Sequence, residues 1–73
     1  MREDILKMYN KMEDNEILKL VMINGKRNTV SKKDTNLISG ESDDTIIVSD
    51  KNTRGIINTS HVIDVEVIRN KKL

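Results

Sequence analysis

The sequence predicts a small, mainly β domain in which an N-terminal α-helix is followed by five short strands of a strongly bent antiparallel barrel. An apolar stripe of helical period opens the chain, and short β-branched runs separated by turn residues follow it. At 73 residues the chain is one domain, 1–73. The predicted elements are a helix at about 2–14 and strands at about 16–23, 26–42, 45–49, 54–59 and 62–69.

The first segment has the pattern of an amphipathic helix. Ile5, Tyr9 and Met12 stand at i, i+4 and i+7, which places them on one face. The polar face carries charges of both signs, which favours a helix packed on the domain over one lying on a membrane surface. Asn15 is the predicted C-cap, because asparagine tolerates the left-handed conformation.

The run 16–23 (EILKLVMI) predicts a central strand, because both of its alternating faces are largely apolar. Asn24 and Gly25 follow it directly. Asn-Gly next to a strand is a strong hairpin signal, and it predicts a type I′ turn with positive φ at both central residues.

The stretch 26–42 is ambiguous. It fits one long, bent second strand, and it fits two short strands around the polar loop SKKDT, with a bend or bulge at Gly40. The signal is clearer afterwards: TIIVS and RGIIN predict strands joined by the turn DKNT. In the last strand Ile63, Val65 and Val67 alternate with Asp64, Glu66 and Ile68, so we expect one inward face, formed by the first three, and one outward face. The basic tail RNKKL is expected to fray.

Size and composition limit how such a domain is stabilised. A chain this short buries only roughly 60% of the surface that its unfolded form exposes. It has no cysteine and one histidine, which excludes disulfides, thiolate metal sites and histidine-rich zinc sites. No cofactor or metal is therefore expected, and self-association is the remaining source of stability.

Charge and hydropathy exclude other classes. The net charge is +1, so the chain is no strongly basic nucleic-acid arm. No apolar run approaches the roughly 18 residues of a membrane span, and no signal-peptide core follows Met1. We expect a cytoplasmic protein without a membrane partner.

The only histidine, His61, could bond to backbone in a turn, or it could form a catalytic pair with Asp43, Asp44 or Asp64. No nucleophile motif, metal set or carboxylate pair accompanies it, which favours the turn and predicts a protein that is not an enzyme.

The charged clusters could each bind a ligand, or they could be solvated surface groups. Glu41, Asp43 and Asp44 could bind a hard cation, but Ile38 stands where a calcium loop needs an oxygen ligand, so a solvated turn is favoured. Lys26, Arg27, Lys32 and Lys33 could meet phosphates, or they could be plain surface charge. With one tyrosine and neither phenylalanine nor tryptophan, base-stacking platforms are missing.

Four stretches in colinear order resemble the Sm-like superfamily, and within it most closely the bacterial RNA chaperone family Hfq. They are VMINGK, at the first strand and its Asn-Gly turn; SDDTIIVS, at an Asp turn into the third strand; KNTRGIIN, at the next connection; and TSHVIDVEV, at the histidine junction. The resemblance covers roughly Ile5 to Ile68 and places His61 on the family's histidine.

The resemblance implies a homo-oligomeric ring, with six subunits favoured, that binds single-stranded RNA in post-transcriptional regulation. In this family the fourth strand of one subunit pairs with the fifth strand of its neighbour. The junction 59–61 would then line the pore, and Asn24 and Gly25 would contribute to one ring face. The candidate binding residues are Asn24, Gly25, Arg54, Asn58, Thr59, Ser60 and His61.

The chain departs from the family pattern at the junction, where Thr59 and Ser60 replace a Tyr-Lys pair and so remove the charge of a pore lysine. The segment between Gly25 and Asp43 is longer than in the family, and the base-stacking aromatic near the Asp turn is absent. Two alternatives therefore stay open: a ring that binds or sequesters a small nucleotide, as a phage-encoded sponge would, and an SH3-like protein-interaction module. Scarce aromatics disfavour recognition of proline-rich peptides by the latter.

Overall fold

The computed structural model describes residues 1–69, which form one helix and six strands in two antiparallel three-stranded sheets. The sheet orders are β2–β1–β6 and β3–β4–β5. This confirms a mainly β domain with an N-terminal helix; the predicted fraying at 70–73 lies outside the described residues. The elements are α1 Arg2–Lys11, β1 Glu16–Met22, β2 Arg27–Ser31, β3 Asn36–Ser39, β4 Thr45–Ser49, β5 Arg54–Asn58, a 3₁₀ turn Thr59–His61 and β6 Val62–Arg69.

The predicted five-stranded barrel is wrong in strand number and in closure. The ambiguous stretch 26–42 contains two short strands, β2 and β3, as in the second of the two interpretations. Between them the Thr35 amide donates to the Ser31 carbonyl at 3.0 Å, which closes a turn. The chain passes from the first sheet to the second at this turn, and no strand pairing joins the sheets within residues 1–69.

The amphipathic helix packs on the domain as predicted, with Ile5, Tyr9 and Met12 all buried. Fully burying one such side chain stabilises a fold by about 1.5–3 kcal/mol, so this stripe is a large part of a small core. The helix ends earlier than expected, because Met12 is already extended (φ −72°, ψ 148°). The Asn15 cap is therefore wrong. A turn in which the Glu16 carboxylate accepts from the Glu13 amide at 2.8 Å leads into β1.

Tyr9 holds the helix on the β2–β3 turn. Its hydroxyl donates to the Thr35 carbonyl, and burial raises the pKa of this phenol above its usual value. The Lys32 ammonium donates to the Tyr9 carbonyl at 2.9 Å and lies 3.9 Å from the ring centroid, in cation–π geometry. Of the two interpretations of Lys32, neither is adequate, because this side chain fastens the helix to the turn.

β1 is the central strand of its sheet, as its two apolar faces predict. Leu18 and Leu20 are fully buried, and Leu18 lies opposite Val30 on β2 and Val67 on β6. Side chains from the second sheet complete the core, which therefore lies between the two sheets and the helix. Its buried members are Ile5, Tyr9, Met12, Leu18, Leu20, Val30, Leu37, Ile46 and Val62.

The Asn-Gly hairpin forms, but not with the predicted turn type. The Gly25 amide donates to the Met22 carbonyl at 2.8 Å, and the Met22 amide donates to the Lys26 carbonyl at 2.7 Å. Only Gly25 has positive φ (85°) among the described residues, so this is a type I turn followed by a glycine bulge. The Asn24 side-chain oxygen accepts from the Lys26 amide at 3.0 Å, which fixes the loop.

A β-bulge interrupts the start of β6. Val21 pairs with Asp64 and Met22 with Val62, so Ile63 is an extra residue without a partner on β1. Val62 is buried, whereas Ile63 is 61% exposed. The predicted inward position of Ile63 is therefore wrong, because a bulge shifts the two-residue alternation by one.

The β3–β4 hairpin requires a glycine at Gly40, whose amide donates to the Thr45 carbonyl at 2.9 Å. A Cβ added at Gly40 would lie 2.1 Å from Thr45 Oγ1 and 2.9 Å from Thr45 Cβ. Moving that hydroxyl would break its 2.8 Å bond to the Ser42 carbonyl. We expect Gly40→Ala to lower the free energy of unfolding by about 1–3 kcal/mol in urea denaturation. Gly55→Ala is the matched control, because a Cβ there meets nothing within 4 Å; equal losses in both variants would contradict the explanation.

Candidate nucleic-acid interface

The connection between β5 and β6 is a single 3₁₀ turn, Thr59–His61, and Asn58 caps it. The Asn58 side-chain oxygen accepts from the Ser60 amide at 3.0 Å and from the Ser60 hydroxyl at 2.7 Å. Both bonds hold the turn in one conformation. The Asn58, Ser60 and His61 residues are exposed, so this cap presents amide, hydroxyl and imidazole groups to solvent.

Thr59 anchors the junction from the inside. It is 1% exposed, and its amide and hydroxyl both donate to the Asp44 carbonyl, at 2.6 and 2.9 Å. Its hydroxyl is therefore directed at the β3–β4 turn and not at a ligand. Thr59 is therefore the one candidate binding residue whose bonds are directed inward, and by them it fixes the position of its neighbours Ser60 and His61.

The Asn-Gly turn lies beside this junction, because the Ile23 amide donates to the His61 carbonyl at 2.6 Å. Asn24 and Gly25 are exposed there. The structure thus brings Asn24 and Gly25 together with residues 58–61, although 33 or more positions separate them along the chain. We call this surface, residues 23–27 and 58–63, the junction surface.

Arg54 lies apart from the junction surface. It pairs with Ser49 at the start of β5, whereas Asn58 pairs with Thr45 at the end. The two positions are four residue steps apart along the strand, about 13 Å at a rise of about 3.3 Å per residue. Arg54 instead lines an open cavity of about 480 Å³ on the outer face of β3–β4–β5, together with Glu41 and others.

The junction surface contains charged and aliphatic residues that the sequence did not assign to it. Lys26 and Arg27 are exposed next to the Asn-Gly turn, where they can meet phosphate groups. Ile23 and Ile63 are among the most exposed large apolar side chains of residues 1–69. Ile63 is exposed through its bulge, and no sequence pattern marks that bulge.

Both strands that meet at the junction are sheet edges. β5 is the outer strand of β3–β4–β5, and β6 is the outer strand of β2–β1–β6. On its outer side neither strand pairs with another strand of residues 1–69. Ile63, Val67 and Ile68 are exposed on β6, with Asp64, Val65 and Glu66 between the first two. An unpaired strand edge is a template for pairing with another chain.

The acidic turn packs near the start of the helix. Asp43 and Asp44 border a polar surface cavity with Glu3 and Asp4, and the Arg2 guanidinium donates to the Ser42 carbonyl at 2.9 Å. Within residues 1–69, no group of three or more His, Cys, Asp or Glu side chains could hold a metal ion. In the same range, no helix is long and apolar enough to cross a membrane.

Comparisons with protein-family models, with curated proteins and with solved structures found no match to this chain. The Sm-like resemblance therefore stays a prediction from the sequence. The junction surface and the two strand edges are the observations from which a function can be argued.

Proposed function

We propose that this protein is a non-enzymatic, Sm-like homo-oligomeric ring, favoured to have six subunits, that binds single-stranded RNA in cytoplasmic post-transcriptional regulation. The main support is that two consecutive strands, β5 and β6, are both sheet edges and meet at an exposed polar turn. Because the family's second strand corresponds to β2 and β3 here, β5 and β6 stand in the places of its fourth and fifth strands. Those are the strands through which Sm-like subunits pair.

Pairing of β5 with a neighbour's β6 would stabilise a chain of this size. Each edge carries backbone N–H and C=O groups that a partner strand can satisfy. The same contact would remove Ile63, Val67 and Ile68 from water, at about 25 cal/mol per Å² of apolar area. A domain of 73 residues with no disulfide gains more from this than a larger one.

Closing the ring would gather one junction surface from each subunit around a common axis. Each would offer the His61 imidazole, the Ser60 hydroxyl and the Asn24 amide to base edges. Lys26 and Arg27 would meet phosphates nearby. Because the surface has no phenylalanine, tyrosine or tryptophan, bases would contact the His61 imidazole and aliphatic groups such as Ile23, so affinity would depend largely on charge and hydrogen bonds.

A native mass spectrum and oligoribonucleotide binding test the proposal together. We expect the mass of one ring or of a whole number of rings, six copies per ring being favoured, and binding of A-rich or U-rich RNA at low salt by fluorescence anisotropy. A plot of the logarithm of the association constant against the logarithm of the salt concentration should have a slope of about −0.7 for each phosphate contacted. A monomer that shows no binding to either RNA at low salt would refute the proposal.

Ser60→Lys is expected to tighten RNA binding, because it adds one cation per subunit to an exposed position of the junction surface. The salt slope should become steeper by about 0.7 for each added phosphate contact. Asn52→Lys adds the same charge in the exposed β4–β5 turn, near the other end of β5, and serves as the matched control. Equal gains from both variants would show that net charge, and not the junction surface, governs binding.

A further inference from the structure

An apolar row crosses the outer face of the β3–β4–β5 sheet. Ile38 on β3, Ile47 on β4 and Ile56 on β5 are directly opposite one another in register, so all three project from the same face. Ile38 is 54% exposed and Ile56 72% exposed. The helix and the core lie on the other side of this sheet, where Leu37 and Ile46 are buried. The row is therefore an apolar surface that the chain itself leaves uncovered.

Opposite charges flank this row. Arg54 and Glu41 both line the cavity on this face. Arg54 is paired with Ser49 at one end of β4. Glu41 follows Gly40, whose amide bonds to Thr45 at the other end. The row thus has a cation towards one end of its strands and an anion towards the other.

We propose that a second copy of this chain packs face to face on the isoleucine row about a two-fold axis. Arg54 is on β5 and Glu41 follows β3, so an axis in the plane of the interface that crosses the line between them at right angles, at its midpoint, exchanges the two positions. It places each Arg54 beside the partner's Glu41, twice in every pair, while the isoleucines of the two copies pack against each other. Such a surface is self-complementary in shape and in charge, as a two-fold interface requires.

The size of the face determines when this contact is stable. Three strands at about 4.8 Å spacing and five residues at about 3.3 Å rise cover roughly 230 Å² of sheet. A stable interface buries about 800 Å² on each partner, so one pair of chains would associate weakly. In a ring, several identical contacts act at once and their effects multiply. The inference therefore rests on the proposed ring and predicts two rings stacked through this face.

Native mass spectrometry distinguishes the two levels of assembly. We expect the wild-type assembly to contain twice as many subunits as the assembly of Ile38→Lys. This substitution should keep each ring intact but prevent two rings from stacking. Glu41→Arg and Arg54→Glu should each halve the mass, because they put like charges together. The double variant Glu41→Arg/Arg54→Glu should restore the doubled mass. Asp34→Arg, a charge reversal in the exposed β2–β3 turn, is the control and should leave the mass unchanged.

Each other outcome contradicts a definite part of the argument. A wild-type mass of one ring would overturn the stacking and leave the ring intact, whereas a mass below any ring would overturn the ring. A doubled mass that Ile38→Lys and Glu41→Arg do not change would place the doubling on another surface. Loss of RNA affinity or release of a nucleotide in Ile38→Lys, at unchanged mass, would assign the row to a ligand and overturn a second copy as its occupant.

Discussion

Replacing Ile63 by lysine is expected to convert the proposed ring into monomers. Ile63 is the exposed, bulged residue of the β6 edge, next to the junction. Losing its apolar contact would cost each interface about 1.5–3 kcal/mol, roughly 10- to 100-fold in affinity. A lysine on a strand edge also opposes pairing with another chain. Size-exclusion chromatography with light scattering measures the result directly.

Two controls make the Ile63 result interpretable. Ile38→Lys introduces the same change at an exposed isoleucine of β3, away from the β5 and β6 edges, and should keep at least a single ring. Circular dichroism should show the same β content in both variants, because Ile63 contributes little to the buried core. A full-size assembly of Ile63→Lys would show that β6 is not the edge through which subunits pair.

Leu18→Ala is expected to lower the free energy of unfolding by about 2–5 kcal/mol. Leu18 is 0% exposed on the central strand, between Val30 and Val67, so the lost methyl groups leave a cavity that neighbours on both sides cannot fill. In a domain of this size each kcal/mol shifts Tm by roughly 4–8 °C. Urea denaturation at fixed protein concentration measures the effect.

The matched variant is Leu6→Ala, at a helix residue that is only partly buried against the same core. We expect a smaller loss of stability there, because less of the removed surface was shielded from water. Comparable losses for Leu18 and Leu6 would contradict the explanation that burial on β1 makes Leu18 the more important of the two.

The strands that the sequence predicted best are the ones whose residues are β-branched or buried on both sides. The bounds of Thr45–Ser49 and Val62–Arg69 agree with the prediction, and Glu16–Met22 differs by one residue. The division of 26–42 was undecided because its polar residues have no clear period. At the turn that divides this stretch into β2 and β3, the contacts are with the distant helix: the Tyr9 hydroxyl bonds to Thr35, and Lys32 bonds to the Tyr9 carbonyl.

The junction surface was harder to predict than the strands. The family resemblance implied that residues 59–61 line a pore and that Asn24 and Gly25 belong to one ring face. That these two groups adjoin is seen only from the bond between the Ile23 amide and the His61 carbonyl. A threonine fits a buried and an exposed position equally well, so nothing in the sequence separated Thr59 from Ser60. Arg54 was included among the candidate binding residues for its residue type alone. Only the strand register shows that it lies at the end of β5 away from the junction surface.

Tyr9 is the only aromatic residue of the chain. Every tyrosine absorbance or fluorescence signal of this protein therefore comes from one ring, packed under Lys32 at the contact between the helix and the β2–β3 turn. Below the phenol's usual pKa, near 10, the ring is neutral in the folded and unfolded states alike; above it, the unfolded state ionises first and stability falls as pH rises. The chain thus carries an optical reporter, without aromatic background, of whether its helix is docked.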